Sequence, residues 1–462
     1  MVLLSAKSID FTVGLKQRRD KLAKLIQHPV ILWSGTRLGR NFAANQFPFR
    51  ASSHFLYFAG LPLPNAAVYL KNGRLELYLD NPPQSATLWH GETPMREEIG
   101  EIIGADGVYP LAELSNRAKD AATIGVQDNI TYQQQCKLLN RPVSLSHEAA
   151  GIDLELAKAI VTMRSRHDDL ALQQLRQAAT VSVKAHKAGM QATAKAKTEA
   201  EIRGATEGVI ISHNMTCAYN SIVTVHGEVL HNETYQNNLQ PGDLLLADVG
   251  AETPNGWAAD ITRTWAVSGK FSSTQKDVYE LVLKAHDDCI AQIKPGVEYQ
   301  DIHLLAGKII AQGLVDVGIL KGNVEDLVDM DAHALFFPHG VGHLLGLDVH
   351  DMEDLGDVAG YEAGRIRSDR FGLGYLRLNR PLQTGMLVTI EPGFYQVPAI
   401  LNHPDFRSKY KDVVNWERLA HFDDVRGIRI EDDVLVTDSG AEVLTADLPT
   451  KIEEIEELVS SD

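Results

Sequence analysis

Three histidines fall within thirteen residues in Pro338-His339-Gly340-Val341-Gly342-His343-Leu344-Leu345-Gly346-Leu347-Asp348-Val349-His350, with glycines that let the backbone turn between them. Neutral imidazole is the commonest protein ligand for transition metals and also moves protons near neutral pH. Alone, the cluster is compatible with a metal site, a proton shuttle or chance. Acidic residues elsewhere narrow the choice. Asp248 ends the apolar run Leu244-Leu245-Leu246-Ala247, and Asp260 follows the turn residues Pro254-Asn255-Gly256-Trp257. Glu391 ends Leu387-Val388-Thr389-Ile390 just before Pro392-Gly393, and Glu431 sits in Gly427-Ile428-Arg429-Ile430-Glu431-Asp432. A carboxylate in an apolar strand is costly unless it is paired or metal-bound. The plainer alternatives are two aspartates near a turn and an Arg429–Glu431 ion pair. Taken with His343, the four carboxylates make an oxygen-rich donor set that suits two divalent ions, Mn²⁺ first and Co²⁺ or Zn²⁺ next. Paired ions polarise carbonyls and activate water, so the chemistry implied is hydrolysis.

The elements that must position these groups follow from local pattern. Residues 242–250 and 258–265 read as two strands joined by a turn, a hairpin that brings Asp248 and Asp260 onto one face because strand side chains alternate. Residues 387–391 and 427–436 read as further apolar strands, with Arg429 and Glu431 sharing a face. Upstream, 11–27 reads as a helix, 29–35 as a buried strand, and 67–70 and 75–79 as strands around the Asn72-Gly73 hairpin signal. A helix over 97–103 and a short strand over 107–111 complete an alternating α/β pattern. Alanine-rich helices are expected over 155–166, 168–196 and 200–214. The fold class expected is α/β (α+β), with an N-terminal α/β domain over 1–153 and a catalytic domain over 154–462. The aromatic run 47–61 reads as core or interdomain contact, and Arg50 and Trp89-His90 as structural.

With 462 residues, 44% of them hydrophobic and 23% charged, the chain is large enough for more than one core and ordinary in composition. A net charge of −17 argues against nucleic acid and anionic membrane as partners. Cys136, Cys217 and Cys289 are far apart and form no CxxC pair, which fits a reducing cytoplasm. Residues 1–5 lack the start of a signal peptide, and no run reaches the ~18 apolar residues of a membrane span.

In order and context, Asp248, Asp260, His343, Glu391 and Glu431, with the Pro338–His343 and Gly427–Asp432 motifs, resemble the pita-bread metallopeptidases, and within them aminopeptidase P and prolidase rather than methionine aminopeptidase. The resemblance spans nearly the whole chain. It implies a pseudo-twofold catalytic domain, two metal ions held by those five residues, small peptides with proline in second position as substrates, and a homodimer or homotetramer. It also sorts the histidines. Val229-Leu230-His231-Asn232-Glu233 is similar to the family's Leu-His-Tyr segment, which makes His231 rather than His226 the active-site histidine. His350 matches the histidine that supports the transition state, His339 lines the same wall, and Arg429 matches a residue that touches the ligands or the substrate carbonyl. Glu391 is then both a metal ligand and the proton relay.

Two departures stand out. Eleven residues separate Asp248 from Asp260 where the family leads one to expect ten, and Asn232 replaces the tyrosine. The extra residue is expected in the turn near Thr253-Pro254, since within a strand it would turn one aspartate away. Two further signals point in different directions: the aromatic segment 49–60 looks like aminopeptidase P, while the insert 398–424 resembles prolidase and organophosphorus acid anhydrolase. A metal-free binding module is the reading from another class, and it predicts missing ligands.

Overall fold

A computed structural model describes residues 9–145 and 148–461. The reading of residues 1–5 lies outside the described residues. The chain divides into two compact units: residues 1–174 with 254–257 and 352–359, and residues 175–253, 258–351 and 360–462. The division falls after Gln174, inside the helix Asp169–Ala192, and the boundary expected at 153/154 falls inside the preceding helix Gly151–Arg164.

The first unit is built on a four-stranded sheet in the order β1 (Val30–Trp33), β2 (Ala67–Lys71), β3 (Arg74–Tyr78), β4 (Gly107–Tyr109). β2 and β3 are joined through Asn72 and Gly73, both at positive φ (53° and 75°), as a tight primed turn requires. β4 joins β3 in parallel. The helix Ile9–Leu25 buries Phe11, Leu15 and Leu22, and every residue of the helix Ser53–Ala59 is buried, so that part of the aromatic run is core. Phe47 is half exposed, and Leu88 and Trp89 on the helix Ala86–His90 are 79% and 77% exposed.

The second unit carries the remaining strands in short ladders: β5 (Thr216–Cys217) with β8 (Ala251–Glu252), β6 (Ile222–Thr224) with β7 (Leu244–Asp248) and β9 (Thr262–Ala266), β10 (Leu387–Ile390) with β13 (Asp432–Val436) and β14 (Ala441–Val443), and β11 (Gly393–Tyr395) with β12 (Gly427–Arg429). The helices expected at 168–196 and 200–214 appear as Asp169–Ala192 and Glu199–Ser212, the second capped by Thr198, whose side chain accepts from Glu201 N. The long helices Ser273–Gln292 and Tyr299–Asp316 pack against each other. Among the described residues, no helix is long and apolar enough to cross a membrane.

Register decides which carboxylates share a face. Asp248 opposes Thr262, Val249 N donates to Ile261 O, Ala259 N donates to Ala251 O, and Glu252 bridges Ala258. The ladder is unbroken to that point, so the extra residue falls in the turn 253–257. Asp260 sits two positions from Thr262 and therefore projects to the same face as Asp248, on the diagonal. In the second ladder Ile390 opposes Asp432 and Gly393 opposes Arg429. The same register sets Glu391 opposite Glu431 across the gap.

Candidate active site

A cavity of about 440 Å³ is lined by Asp248, Asp260, His343, Glu391 and Glu431, and also by His231, His339, His350 and Arg429. All nine residues singled out in the sequence reach this one space. The first ladder supplies the aspartates and the second the glutamates. A bridge from Thr262 to Glu431 brings the two ladders together.

His343 arrives on an extended stretch beside β10: Thr389 N donates to His343 O, Glu391 N to Val341 O, and Leu345 N to Leu387 O. Gly342 lets this stretch approach, because a Cβ there would stand 2.2 Å from Thr389 O and 2.3 Å from the Tyr299 hydroxyl. His343 Nδ1–H donates to Leu344 O at 3.0 Å, which leaves the Nε2 lone pair facing Asp260 at 3.4 Å and Glu391 at 3.6 Å. Asp260, His343 and Glu431 each offer a ligand atom within 4.8 Å of one another, and all three are buried.

The electrostatics favour a bound cation. Burial, then Asp248, pushes the Asp260 carboxyl up to about 7, and burial pushes Glu391 up to about 7 against the pull of His343. Glu431 is driven well above the usual carboxylate range by burial and by Asp260 and Glu391. Like-charged carboxylates taken out of water resist ionisation unless a positive charge joins them. The Tyr219 hydroxyl lies 2.6 Å from Asp248 Oδ1 and 2.5 Å from Asp260 Oδ1. A phenol has one proton to give, so both contacts are satisfied only if an aspartate is protonated or a cation neutralises the pair. The donor set thus fits divalent cations.

Two of the surrounding histidines are held towards the neutral form. His339 is pushed down to about 3 by burial and then by Arg429; its Nε2 contacts the Tyr395 hydroxyl at 2.9 Å and its Nδ1–H donates to Gly340 O at 2.8 Å. His231 is shifted down by burial and by Arg429. The His350 ring stands edge-on to His343 with centroids 4.3 Å apart. His226 lies instead beside Glu228 at 2.9 Å and Arg426 at 2.8 Å. Arg429 does not pair with Glu431 directly. Its Nη2 donates to Asp248 Oδ2 at 2.5 Å and its Nε to the Thr262 hydroxyl at 3.0 Å, while Thr262 Oγ1 donates to Glu431 Oε2 at 2.7 Å.

Tyr219, Thr262, Tyr395, Tyr375 and Arg377 escaped the reading of the sequence. Thr262 was within reach, since strand alternation puts it on the face of Asp260. Tyr395 follows from the β11–β12 register, in which it opposes Gly427 and shares a face with Arg429 on the diagonal. Tyr219, Tyr375 and Arg377 carry no local signal.

Buried carboxylates around an imidazole, in a cavity open to a small molecule, define a metal-dependent hydrolase. Residues 173–438 match metallopeptidase family M24, and residues 15–130 match the aminopeptidase P N-terminal domain. The chain belongs to metallopeptidase family M24. It is 34% identical to a probable Xaa-Pro aminopeptidase of Fusarium vanettenii, over 90% of this chain and 88% of that one. It is 32% identical to the Xaa-Pro dipeptidase of Homo sapiens, over 92% and 87%. Among solved structures, aminopeptidase PepP of Pseudomonas aeruginosa superposes with a TM-score of 0.79 at 27% identity, covering 97% of this chain and 98% of that one. Aminopeptidase P from E. coli with the inhibitor Pro-Leu gives 0.77 at 26% identity with the same coverage. The resemblance and the two-domain α/β fold expected from the sequence hold. Family membership and the Asp260–His343–Glu431 group together support divalent metal ions as cofactors.

Proposed function

We propose that the chain is an Xaa-Pro aminopeptidase that cuts the bond between an N-terminal residue and a following proline. The observation that carries this reading is the convergence of Asp248, Asp260, His343, Glu391 and Glu431 on one cavity that His231, His339, His350 and Arg429 also line. The relatives' names supply the substrate class. Those five residues would hold two divalent ions, manganese before cobalt or zinc. Such ions, when bound, supply Lewis acidity towards a carbonyl oxygen and acidify water.

The chain's own groups divide the remaining work. Glu391 takes a proton from the attacking water and returns it to the proline nitrogen as the C–N bond breaks. His231 and His350 hydrogen-bond the tetrahedral intermediate. The substrate's amino group sits beside Asp260. His339 stays neutral and, with Tyr395, walls the site. Arg429 orients Asp248.

One observation favours a second reading, an Xaa-Pro dipeptidase. Arg377 lines the cavity, and its charge reaches His231 and His339. A guanidinium at that wall complements the free carboxylate of a dipeptide. Purified protein loaded with Mn²⁺ and given Xaa-Pro dipeptides beside Xaa-Pro-Yaa tripeptides distinguishes the two. Cleavage of the tripeptide at least as fast as the dipeptide is the outcome expected; activity confined to dipeptides overturns it in favour of the second reading. A homodimer or homotetramer and a cytoplasmic location complete the proposal, the second supported by three free cysteines.

A further inference from the structure

Tyr375 and Arg377 reach the cavity from residues 362–378, a stretch without helix or strand that is closed at its base by the Tyr361–Asn379 bridge. Irregular backbone holds its place only where its polar groups find partners. Here Arg367 Nη1 and the Tyr361 hydroxyl both donate to Leu376 O, at 2.9 and 2.8 Å, and Arg370 Nη2 pairs with Asp331 at 2.8 Å. Underneath lies His303, fully buried on the helix Tyr299–Asp316 and absent from the cavity wall. Its Nε2–H donates to Gly372 O at 2.7 Å, and its Nδ1 meets no partner among the described residues. Gly372 rests directly on this shelf, since a Cβ there would stand 2.9 Å from Asp331 Oδ1 and 3.3 Å from His333 Nε2. The Phe337 ring packs against His303, with ring centroids 5.6 Å apart. Burial lowers the His303 pKa, so the ring stays neutral with its one proton committed to Gly372.

We propose that His303 is a positioning residue for substrate recognition: through the Gly372 carbonyl it fixes the 371–377 turn, and with it Tyr375 and Arg377, against the residue on the C-terminal side of the scissile bond. This rests on reading the cavity as an Xaa-Pro peptidase site. Arg377 acts on the bound substrate rather than on the reacting carbonyl. Displacing it weakens ground state and transition state alike, so KM rises while kcat stays.

The test compares His303→Leu, which keeps bulk but leaves Gly372 O unpaired, with His303→Gln, whose amide N–H can take the place of Nε2–H. Full-length, Mn²⁺-loaded protein is assayed on an Xaa-Pro dipeptide and on its C-terminal amide, and substrate-free protein is exposed to trypsin. The leucine variant should raise KM for the dipeptide about tenfold, with kcat within about twofold, as expected for one lost buried hydrogen bond. The KM for the amide should move far less, and tryptic cleavage after Arg367 or Arg370 should accelerate. Glutamine should restore all three. An unchanged KM, a fall of kcat and bound manganese in step with it, or a glutamine variant no better than leucine overturns the proposal. If the leucine variant does not fold, His303→Asn replaces it; asparagine cannot reach Gly372, and behaviour equal to glutamine is then the contradicting result. Failure of the wild type to cut any Xaa-Pro peptide would defeat the functional reading instead, and the trypsin comparison would still decide whether His303 holds the turn.

Discussion

In the β7–β9 ladder the two carboxylates sit on a diagonal and are short; across the gap between β10–β13 and β11–β12 they sit directly opposite and are long. The aspartates are fastened by protein: Tyr219 contacts both, and Arg429 holds Asp248. On the other ladder Thr262 holds Glu431, but among the described residues the Glu391 carboxylate meets only histidine nitrogens, at 3.6 and 3.7 Å, beyond hydrogen-bond distance. One ladder is therefore a preset clamp, and the other keeps one carboxylate loose enough to carry a proton. The division of labour follows from side-chain length and register.

The comparison breaks most visibly at Glu391. Replacement by Gln should lower Xaa-Pro turnover roughly a thousandfold, in line with losing a general base, while the melting temperature stays close to wild type. Steady-state assays and a thermal melt check this, and near-normal turnover would remove Glu391 from the proton path. Next comes the clamp. Tyr219→Phe leaves both aspartates without their shared donor, and manganese affinity, measured by titration, should fall by about 10- to 100-fold. No change would mean that the clamp is incidental.

A smaller effect concerns pH and metal-free protein. Asp260 and Glu391 titrate at about 7 when folded, against roughly 4 for unfolded carboxylates. The folded state then binds more protons between about pH 4 and pH 7, so stability without metal is greatest at the acid end of that window and declines as pH rises through 7. Melts of chelated protein at pH 5.5 and 8 should show the higher value at pH 5.5. Manganese should raise the melting temperature more at pH 8 than at pH 5.5, because protons and cation compete for the same oxygens. The last test is a contrast of histidines. His226→Ala, in a residue tied to Glu228 and Arg426, should leave kcat within about twofold, whereas His231→Ala should cost about a hundredfold, the scale of one lost oxyanion donor. Equal effects in the two variants would undo the assignment of His231.

Much of this site could be read in the sequence because its members end or interrupt apolar strands. Asp248, Glu391 and Glu431 stand out as charges where strands should be bare, and the turn chemistry at 254–257 correctly absorbs the additional residue. Tyr219, Tyr375 and Arg377 could not be found that way. Tyr219 owes its role to the approach of Asp248 and Asp260, and Arg377 to an irregular loop held from below by His303. Such positions depend on long-range packing, and neither spacing nor periodicity records them. The N-terminal sheet was legible through Asn72-Gly73 and its alternating strands, while the exposure of Trp89 was not, since a lone aromatic carries no sign of where it points.

Manganese content per chain, measured by elemental analysis after loading and exhaustive desalting, tests most directly whether five side chains hold two ions. About two equivalents are expected for the wild type, with a clear loss in both Asp260→Asn and Glu431→Gln. A wild-type protein that retains no manganese, cobalt or zinc, or variants that retain as much as the wild type, would contradict the dinuclear site.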